Sequence, residues 1–223
     1  MRKIFATYCV LLFVTTAFAQ LAIIQDKDGY TNVRLEPYGQ SEVIHMLYND
    51  QVFWYDEDSI IGVSDWIRIY VPKDAYSLNC QEQAALEGYV HRSRIQPLDQ
   101  LQKCQGDSLS FRYVIEPFDP EHRIIDTEGE WIVAIDGRSF WGTDGVLPMT
   151  QIAEIQVNLW DARIHIPKVL YSDIFQSNND FDIYRREETF FIYNPNSDGA
   201  GYYEIVWVIT KDGVQQRLVG STI

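Results

Sequence analysis

The residue types best suited to nucleophilic or metal chemistry in this chain are a few cysteines and histidines. Beyond the first nineteen residues there are two cysteines, Cys80 and Cys104, and four histidines, at positions 45, 91, 122 and 165. A cysteine nucleophile needs a histidine beside it as a base, and zinc sites show short Cys/His spacings. The sequence has no such spacing, no Gly-x-Ser-x-Gly elbow and no phosphate-binding loop. It therefore predicts a protein that is not an enzyme, with no catalytic residue, no metal site and no cofactor.

Carboxylates offer an alternative chemistry. Seven of them crowd one region of the second half: Glu116, Asp119, Glu121, Asp126, Glu128, Glu130 and Asp136. Two carboxyl groups at the correct separation would suffice to hydrolyse a glycan. A chain with 32 acidic residues also produces such clusters by chance. A glycan hydrolase therefore stays an alternative rather than the main prediction.

A second acidic motif resembles the first half of a calcium loop. It reads Asp26-Lys27-Asp28-Gly29. The later ligands of such a loop, including a glutamate at its twelfth position, are missing. The motif therefore predicts a turn that connects two strands.

The N-terminus has the anatomy of a secretory signal peptide. Arg2 and Lys3 precede an apolar run over residues 4–18, and Ala17-Phe18-Ala19 is a small-x-small cleavage site before Gln20. The run is shorter than the roughly 20 apolar residues that cross a bilayer. We therefore expect cleavage between Ala19 and Gln20, a periplasmic or secreted mature protein, and no integral membrane span.

The mature chain would be strongly acidic. The whole chain has 18 basic and 32 acidic residues, and the first nineteen contain two of the basic ones, so the mature formal charge is 16 − 32 = −16. A phosphate backbone needs a basic surface, so nucleic acid is not an expected partner. In an oxidising compartment we expect Cys80 and Cys104 to form a disulfide. It would close a loop of about 25 residues and contribute roughly 3–4 kcal/mol.

The elements that must position any site are β-strands. Aromatic residues make up 14% of the chain, and short alternating runs are separated by turn residues. Strands are predicted at 30–35, 43–47, 52–55, 66–71, 88–95, 109–116, 131–135, 152–160, 164–166, 189–193, 202–210 and 214–219. The pattern predicts an all-β fold: a signal peptide over 1–19, a small barrel over 20–98, a polar linker over 99–110, and an antiparallel β-sandwich or barrel over 111–223.

The first of these regions resembles the bacterial SH3-like domains. Asn32-Val33-Arg34, followed by Glu36-Pro37, is similar to the opening strand of that family. Trp66-Ile67-Arg68-Ile69 and Gly88-Tyr89-Val90-His91 are similar to later strands and come in the same order. The resemblance covers about a third of the chain and departs from the family over 72–87, where this sequence has a longer loop. The C-terminal half resembles no family known to us.

The resemblance implies a small SH3-like barrel that recognises cell-wall peptide or another extended chain in a shallow aromatic groove. Aromatic side chains suit such a groove because they offer large contact area at low entropic cost. The positions that would line it are Tyr38, Tyr48, Trp54, Tyr55 and Trp66. The residues predicted to fill the barrel are Val33, Leu35, Val43, Leu47, Val52, Ile67, Ile69 and Val90. We therefore expect an exported, non-catalytic protein that binds peptidoglycan peptide or a protein partner.

The acidity also fits a different class of protein. An acidic inhibitor or immunity-type protein that neutralises a basic wall-active enzyme would gain association rate from electrostatic steering. This alternative predicts a stoichiometric complex that weakens sharply with salt.

Overall fold

A computed structural model describes residues 19–56, 64–78, 85–106, 108–197 and 199–221, and it shows an all-β chain. The strands are β1 Ala19–Ile24, β2 Tyr30–Arg34, β3 Val43–Tyr48, β4 Val52–Asp56, β5 Trp66–Val71, β6 Leu86–His91, β7 Ile95–Pro97, β8 Gln102–Lys103, β9 Leu109–Pro117, β10 Ile125–Glu128, β11 Trp131–Ile135, β12 Thr150–Leu159, β13 Ala162–Ile164, β14 Asp182–Arg186, β15 Thr189–Asn196, β16 Tyr203–Thr210 and β17 Gly213–Gly220. Short 3-10 helices lie at Arg92–Arg94, Leu98–Gln100, Lys168–Leu170 and Gly199–Gly201. The predicted all-β class is confirmed.

Two predictions fall on residues outside these ranges. The signal peptide lies almost entirely in residues 1–18, and Cys80 is also outside, so cleavage and the disulfide stay predictions. Cys104 is half-buried and is bonded to no other cysteine of the described residues. Within the described ranges, no helix is long and apolar enough to span a membrane.

The N-terminal strands form one antiparallel sheet with the order β3-β2-β6-β5-β4-β1-β7. Its two edge strands, β3 and β7, do not pair with each other within the described part of the chain, so the predicted closed barrel is not found there. The sheet nevertheless curls, because side chains from β1 through β6 meet in one apolar cluster. This cluster, the N-terminal core, contains Ala22, Ile24, Val33, Leu47, Phe53, Tyr55, Ile67, Ile69, Val71 and Val90.

Two residues predicted to fill the barrel are instead exposed. Leu35 and Val43 are 50% and 46% exposed. The β2–β3 register shifts between Val33 and Arg34, so β3 carries one extra residue there. A bulge reverses the alternation of side chains beyond it, and here Ile44 packs against the core in place of Val43. The sequence pattern does not show such a bulge.

The C-terminal half is built from two larger sheets and a separate hairpin. One sheet has the order β13-β12-β9, the other the order β17-β16-β15-β14-β8, and β10 pairs only with β11. The two larger sheets contribute to one apolar cluster, including Tyr113, Val157 and Trp207. Strand β8 pairs with β14, so two residues of the stretch predicted as a linker, Gln102 and Lys103, belong to the five-stranded sheet.

The five-stranded sheet is buried on both faces. Ile205 and Trp207 on β16 point into the C-terminal core, whereas the alternate residues Val206 and Val208 face the N-terminal half. There they meet Ile23, Val52 and Leu98 in a third cluster, which we call the interface core. A strand covered on both faces favours a continuous apolar run, which accounts for the five successive apolar residues of β16 from Ile205 to Ile209.

Strands β1 and β4 show the same division on the N-terminal side. Ala22 and Phe53 point into the N-terminal core, while their neighbours Ile23 and Val52 lie in the interface core. The buried Gln216 side chain accepts from Val52 N and donates to Val52 O, both at 2.7 Å. The two halves are therefore in direct contact through apolar packing and hydrogen bonds.

A buried ion cluster makes a second contact between the halves. Arg217 is fully buried and donates to Asp173 Oδ1 at 2.7 Å and to the carbonyls of Tyr76 and Ser77 at 2.9 and 3.1 Å. Arg138 donates to the other oxygen, Asp173 Oδ2, at 2.9 Å. Residues 75–78 belong to the long loop after β5, so this cluster fastens that loop onto the C-terminal half.

Candidate functional site

A cleft of about 380 Å³ opens on the N-terminal half beside Trp66. It lies where β2, the start of β5 and the end of β6 meet the β1–β2 turn. Its lining is mostly polar and carries charges of both signs: Asp26, Asp28, Tyr30, Thr31, Asn32, Arg34, Trp66, His91, Ser93 and Arg94. We call it the Trp66 cleft. The resemblance motifs Asn32-Val33-Arg34 and Gly88-Tyr89-Val90-His91 both contribute to its wall.

Asp26 holds one end of the Trp66 cleft together. Its Oδ1 accepts from Asp28 N at 3.0 Å and pairs with Arg94 Nη1 at 2.6 Å. The Asn49 side chain accepts a hydrogen bond from Asp26 N and donates one to Asp26 O, each at 2.8 Å. Asp26 is buried and its carboxylate is already engaged, so the motif that resembles half a calcium loop forms a strand-connecting turn. Asp28 is exposed beside it.

Trp66 is held between two cleft residues. The Arg34 guanidinium lies over the indole ring, 6.0 Å from its centroid, and His91 meets the ring edge-on at 5.6 Å. Arg34 is itself fixed by its hydrogen bond to Ser41 O at 2.6 Å. A half-exposed aromatic ring whose neighbours are fixed loses little freedom on binding, which favours ligand affinity.

His91 and Ser93 form a pair that sequence reasoning treated only as part of a strand. His91 Nδ1 lies 2.8 Å from Ser93 Oγ and accepts from Ser93 N at 3.3 Å. This is the cap of the 3-10 helix Arg92–Arg94. In a catalytic Ser-His pair, a third polar group orients the histidine base. In this cleft the His91 ring packs against the Trp66 ring instead. The pair therefore shapes the cleft wall.

Two of the predicted groove residues are exposed near the Trp66 cleft without lining it. Tyr38 is 52% exposed, and the next residue, Gly39, approaches Trp66 Cζ2, which a Cβ there would meet at 4.0 Å. Tyr48 is 55% exposed, and its ring lies 6.4 Å from that of Tyr30. Tyr30 lines the cleft, so both residues lie at its border.

The other two predicted groove residues are placed elsewhere. Tyr55 is only 1% exposed and belongs to the N-terminal core, where its hydroxyl donates to Gln20 Oε1. Trp54 packs in the interface core and donates from Nε1 to Glu204 Oε1 at 2.9 Å. Tyr55 therefore offers no open face to a groove ligand, and the partly exposed Trp54 ring packs against the interface core. Both lie on β4, whose two faces are covered by different cores.

The carboxylates considered for glycan hydrolysis are exposed side chains on the edge of the C-terminal half. Asp136 pairs with Arg123 at 2.6 Å, and Asp119 accepts from Glu121 N at 2.9 Å. A general acid in such an enzyme is a carboxyl whose pKa is raised by its surroundings. Among the described residues, burial raises the pKa of two carboxyls, Asp173 and Glu204, and both are hydrogen-bonded inside contacts between the halves.

Glu204 makes the contact between the halves sensitive to pH. It is 5% exposed, and burial raises its pKa above the ordinary value of 4.5, while hydrogen bonds from Trp54 and Tyr193 oppose the shift. A carboxyl whose folded pKa exceeds its unfolded pKa stabilises the fold below pH 4.5, and this contribution is lost as pH rises through the folded pKa.

We therefore predict that Glu204→Gln, which stays neutral at all pH values, removes this loss. The difference in Tm between the variant and the parent should therefore be a few degrees larger, in favour of the variant, at pH 8 than at pH 4.5. A change of about 1 kcal/mol corresponds to roughly 2–4 °C at this size. Thermal unfolding at the two pH values measures the effect. The exposed Glu188→Gln is the control, and parallel pH profiles of Glu204→Gln and the parent would refute the prediction.

The described residues contain no group of three or more His, Cys, Asp or Glu side chains arranged to hold a metal ion. Comparison with known proteins adds no assignment: no family model matches the chain, and neither curated proteins nor solved structures gave a match. Membership of the bacterial SH3-like family accordingly stays a prediction.

Proposed function

We propose that this chain is an exported, non-catalytic binding protein that takes an extended peptide of the cell wall, or a similar peptide segment, into the Trp66 cleft. The observation that carries the proposal is the composition of that cleft, in which a fixed indole ring lies among charges of both signs and neutral polar groups. The expected ligand is a peptide that carries both amines and carboxylates.

The cleft residues supply complementary chemistry for such a peptide. Asp28 is exposed and can accept from an ammonium group, and Arg34 can pair with a carboxylate. The Asn32 side chain can both donate to and accept from a peptide bond. Trp66 offers an apolar face to aliphatic side chains.

The resemblance to bacterial SH3-like domains supports the same proposal. The strands that carry the resemblance form a curled sheet with one core, as a small barrel-like domain requires. The predicted signal peptide would place the protein where wall peptides are present. The two halves pack on each other through the interface core, so the C-terminal half would hold the peptide-binding half in a fixed orientation.

The test is co-sedimentation of the mature chain with purified peptidoglycan sacculi at low and physiological salt. The whole mature chain is needed, because a fragment ending at Leu98 would expose Ile23, Val52 and Leu98, which pack against the C-terminal half. We expect Trp66→Ala to weaken binding about tenfold, equivalent to about 1.4 kcal/mol, because it removes the central aromatic surface of the cleft.

The control is Trp160→Ala. Trp160 is also a partly exposed tryptophan, 43% exposed, but it lies in the β12–β13 turn. Its loss should leave sedimentation unchanged. Equal binding by both variants, or no sedimentation of the parent at either salt, would contradict the proposed function.

A further inference from the structure

The hairpin β10–β11 stands apart from the layers of the fold. Among the residues that the structure describes, its two strands pair with each other and with neither of the larger sheets of the C-terminal half. Every residue of β10 is at least partly exposed, and on β11 only Ile135 is buried. A two-stranded hairpin is marginally stable by itself. Its base is fixed by Arg123–Asp136 at 2.6 Å and Arg138–Asp173 at 2.9 Å.

The tip of this hairpin and the loop beside it expose several large apolar side chains. Trp131 covers Gly145 so closely that a Cβ there would lie 2.5 Å from Trp131 Cε3, and Ile132 N donates to Gly145 O at 2.8 Å. Even so, Trp131 is 58% exposed. The loop continues with exposed Val146, Leu147 and Met149, the last at 74%. We call these four side chains the Trp131 patch.

Soluble proteins rarely expose large apolar patches, and the patches that they do expose are often binding surfaces. Tryptophan in particular is enriched among the residues that dominate binding energy at protein interfaces. The Gly145 contact fixes the Trp131 ring in its exposed position, so a partner would meet a preformed surface.

The patch is surrounded by negative charge. Between residues 125 and 149 the chain has five acidic residues and one basic residue, Arg138. Arg138 is engaged by the buried Asp173, and Asp136 is paired with Arg123. Within the described part of the chain, the remaining four carboxylates have no basic partner: Asp126, Glu128, Glu130 and Asp144.

This negative charge indicates which kind of partner would bind the Trp131 patch. A second copy of the chain would bring the same acidic rim and would be repelled, as would a membrane of anionic lipid. We propose that the Trp131 patch is the docking surface for a protein partner that presents an apolar socket surrounded by lysine or arginine. Trp131 is its anchor, and the four carboxylates steer and orient the partner.

The proposal can be tested with a defined cationic probe: a short amphipathic Lys/Leu peptide and a Lys/Ser peptide of equal charge. The mature chain should bind the Lys/Leu peptide, and Trp131→Ser should weaken binding about tenfold. Trp160→Ser is the matched tryptophan control. Glu128→Gln/Glu130→Gln should weaken binding severalfold at low salt, whereas Glu187→Gln/Glu188→Gln, two exposed carboxylates on the β14–β15 turn, should not.

Several outcomes would overturn the proposal. They are failure of the parent to bind the Lys/Leu peptide, equal binding of the Lys/Ser peptide, and equal weakening by Trp131→Ser and Trp160→Ser. A dimer of the mature chain that Trp131→Ser dissociates would assign the patch to a second copy instead. Attachment to anionic vesicles that depends on Trp131 would assign it to lipid. Trp131→Ser should leave sacculus binding unchanged, so this proposal and the proposed function can fail separately.

Discussion

Arg217→Met should lower the free energy of unfolding by about 3–5 kcal/mol, the loss expected when one partner of a buried ion pair is removed. Methionine replaces the aliphatic part of the arginine but is shorter and cannot donate, so Arg138 is the remaining arginine partner of Asp173, and the carbonyls of Tyr76 and Ser77 lose this donor. Burial raises the pKa of Asp173 and the charges of Arg217 and Arg138 oppose that shift. Removing one of these two charges makes the ionised carboxylate more costly to bury.

Urea unfolding measures the loss, and a double-mutant cycle identifies its cause. Adding Asp173→Asn to Arg217→Met removes the buried carboxylate that has lost one of its two arginine partners, so the double variant should be more stable than the sum of the two single effects predicts, by about 1 kcal/mol or more. A cost below about 1 kcal/mol for Arg217→Met, or strict additivity, would show that the cluster does not fasten the loop 75–78 to the C-terminal half.

Trp54→Ala should destabilise the protein by about 3 kcal/mol, the lower end of the range for truncating a core tryptophan, because the Trp54 ring is only partly buried. The indole ring packs directly on Gly220, where a Cβ would lie 2.5 Å from Trp54 Cζ2. The substitution also removes the donor to Glu204 and leaves that buried carboxyl with Tyr193 at 3.2 Å. The urea midpoint should therefore fall, whereas sacculus binding by the folded variant should persist.

Trp54→Phe separates the two contributions. It keeps most of the ring and loses the Nε1 donor, so we expect a cost of about 1–2 kcal/mol from the hydrogen bond alone. If Trp54→Ala instead leaves stability unchanged and abolishes sacculus binding, Trp54 lines the ligand groove as the sequence first indicated, and the interface core is not its main environment.

The packed contact between the halves has a consequence for binding. The Trp66 cleft and the Trp131 patch lie on the N-terminal and C-terminal halves, and the interface core and the Arg217 cluster hold these halves together. A peptide bound in the cleft and a protein bound at the patch would then be held at a fixed distance and orientation relative to each other. The alternative of an acidic inhibitor for a basic wall-active enzyme would use the Trp131 patch rather than the cleft.

The predicted strands agree closely with the observed ones where alternation is strong. Strands β5 and β11 begin and end as predicted, and β2, β9 and β16 differ by one residue at one end. Strands β1, β8, β10 and β14 were missed. Strands β8, β10 and β14 are short and polar or charged, whereas β1 is mostly apolar but directly follows the apolar run of the predicted signal peptide. Pairing with neighbouring strands places all four. Strand β1, for example, is placed by its pairing with β4 and β7.

The candidate site was found only in part. Trp66 was identified from its motif, and the motif residues Asn32, Arg34 and His91 lie around it in the cleft. Asp26, Asp28 and Tyr30 were missed as cleft residues, although the turn that carries them was recognised. Tyr55 was predicted to line the groove but lies in the N-terminal core, because the sequence around an aromatic strand residue is the same whether its face of the sheet is covered or open.

The sequence by itself determined the all-β class, most strand positions, the acidic charge and the motif around Trp66. The tertiary structure alone decided which aromatic side chains are accessible, because a period of two residues assigns side chains to two faces but does not show what covers each face. Trp54 and Trp131 illustrate the difference. Trp54 follows apolar residues and Trp131 follows a glutamate, yet neither context shows that Trp54 packs against the opposite half of the molecule while Trp131 is 58% exposed.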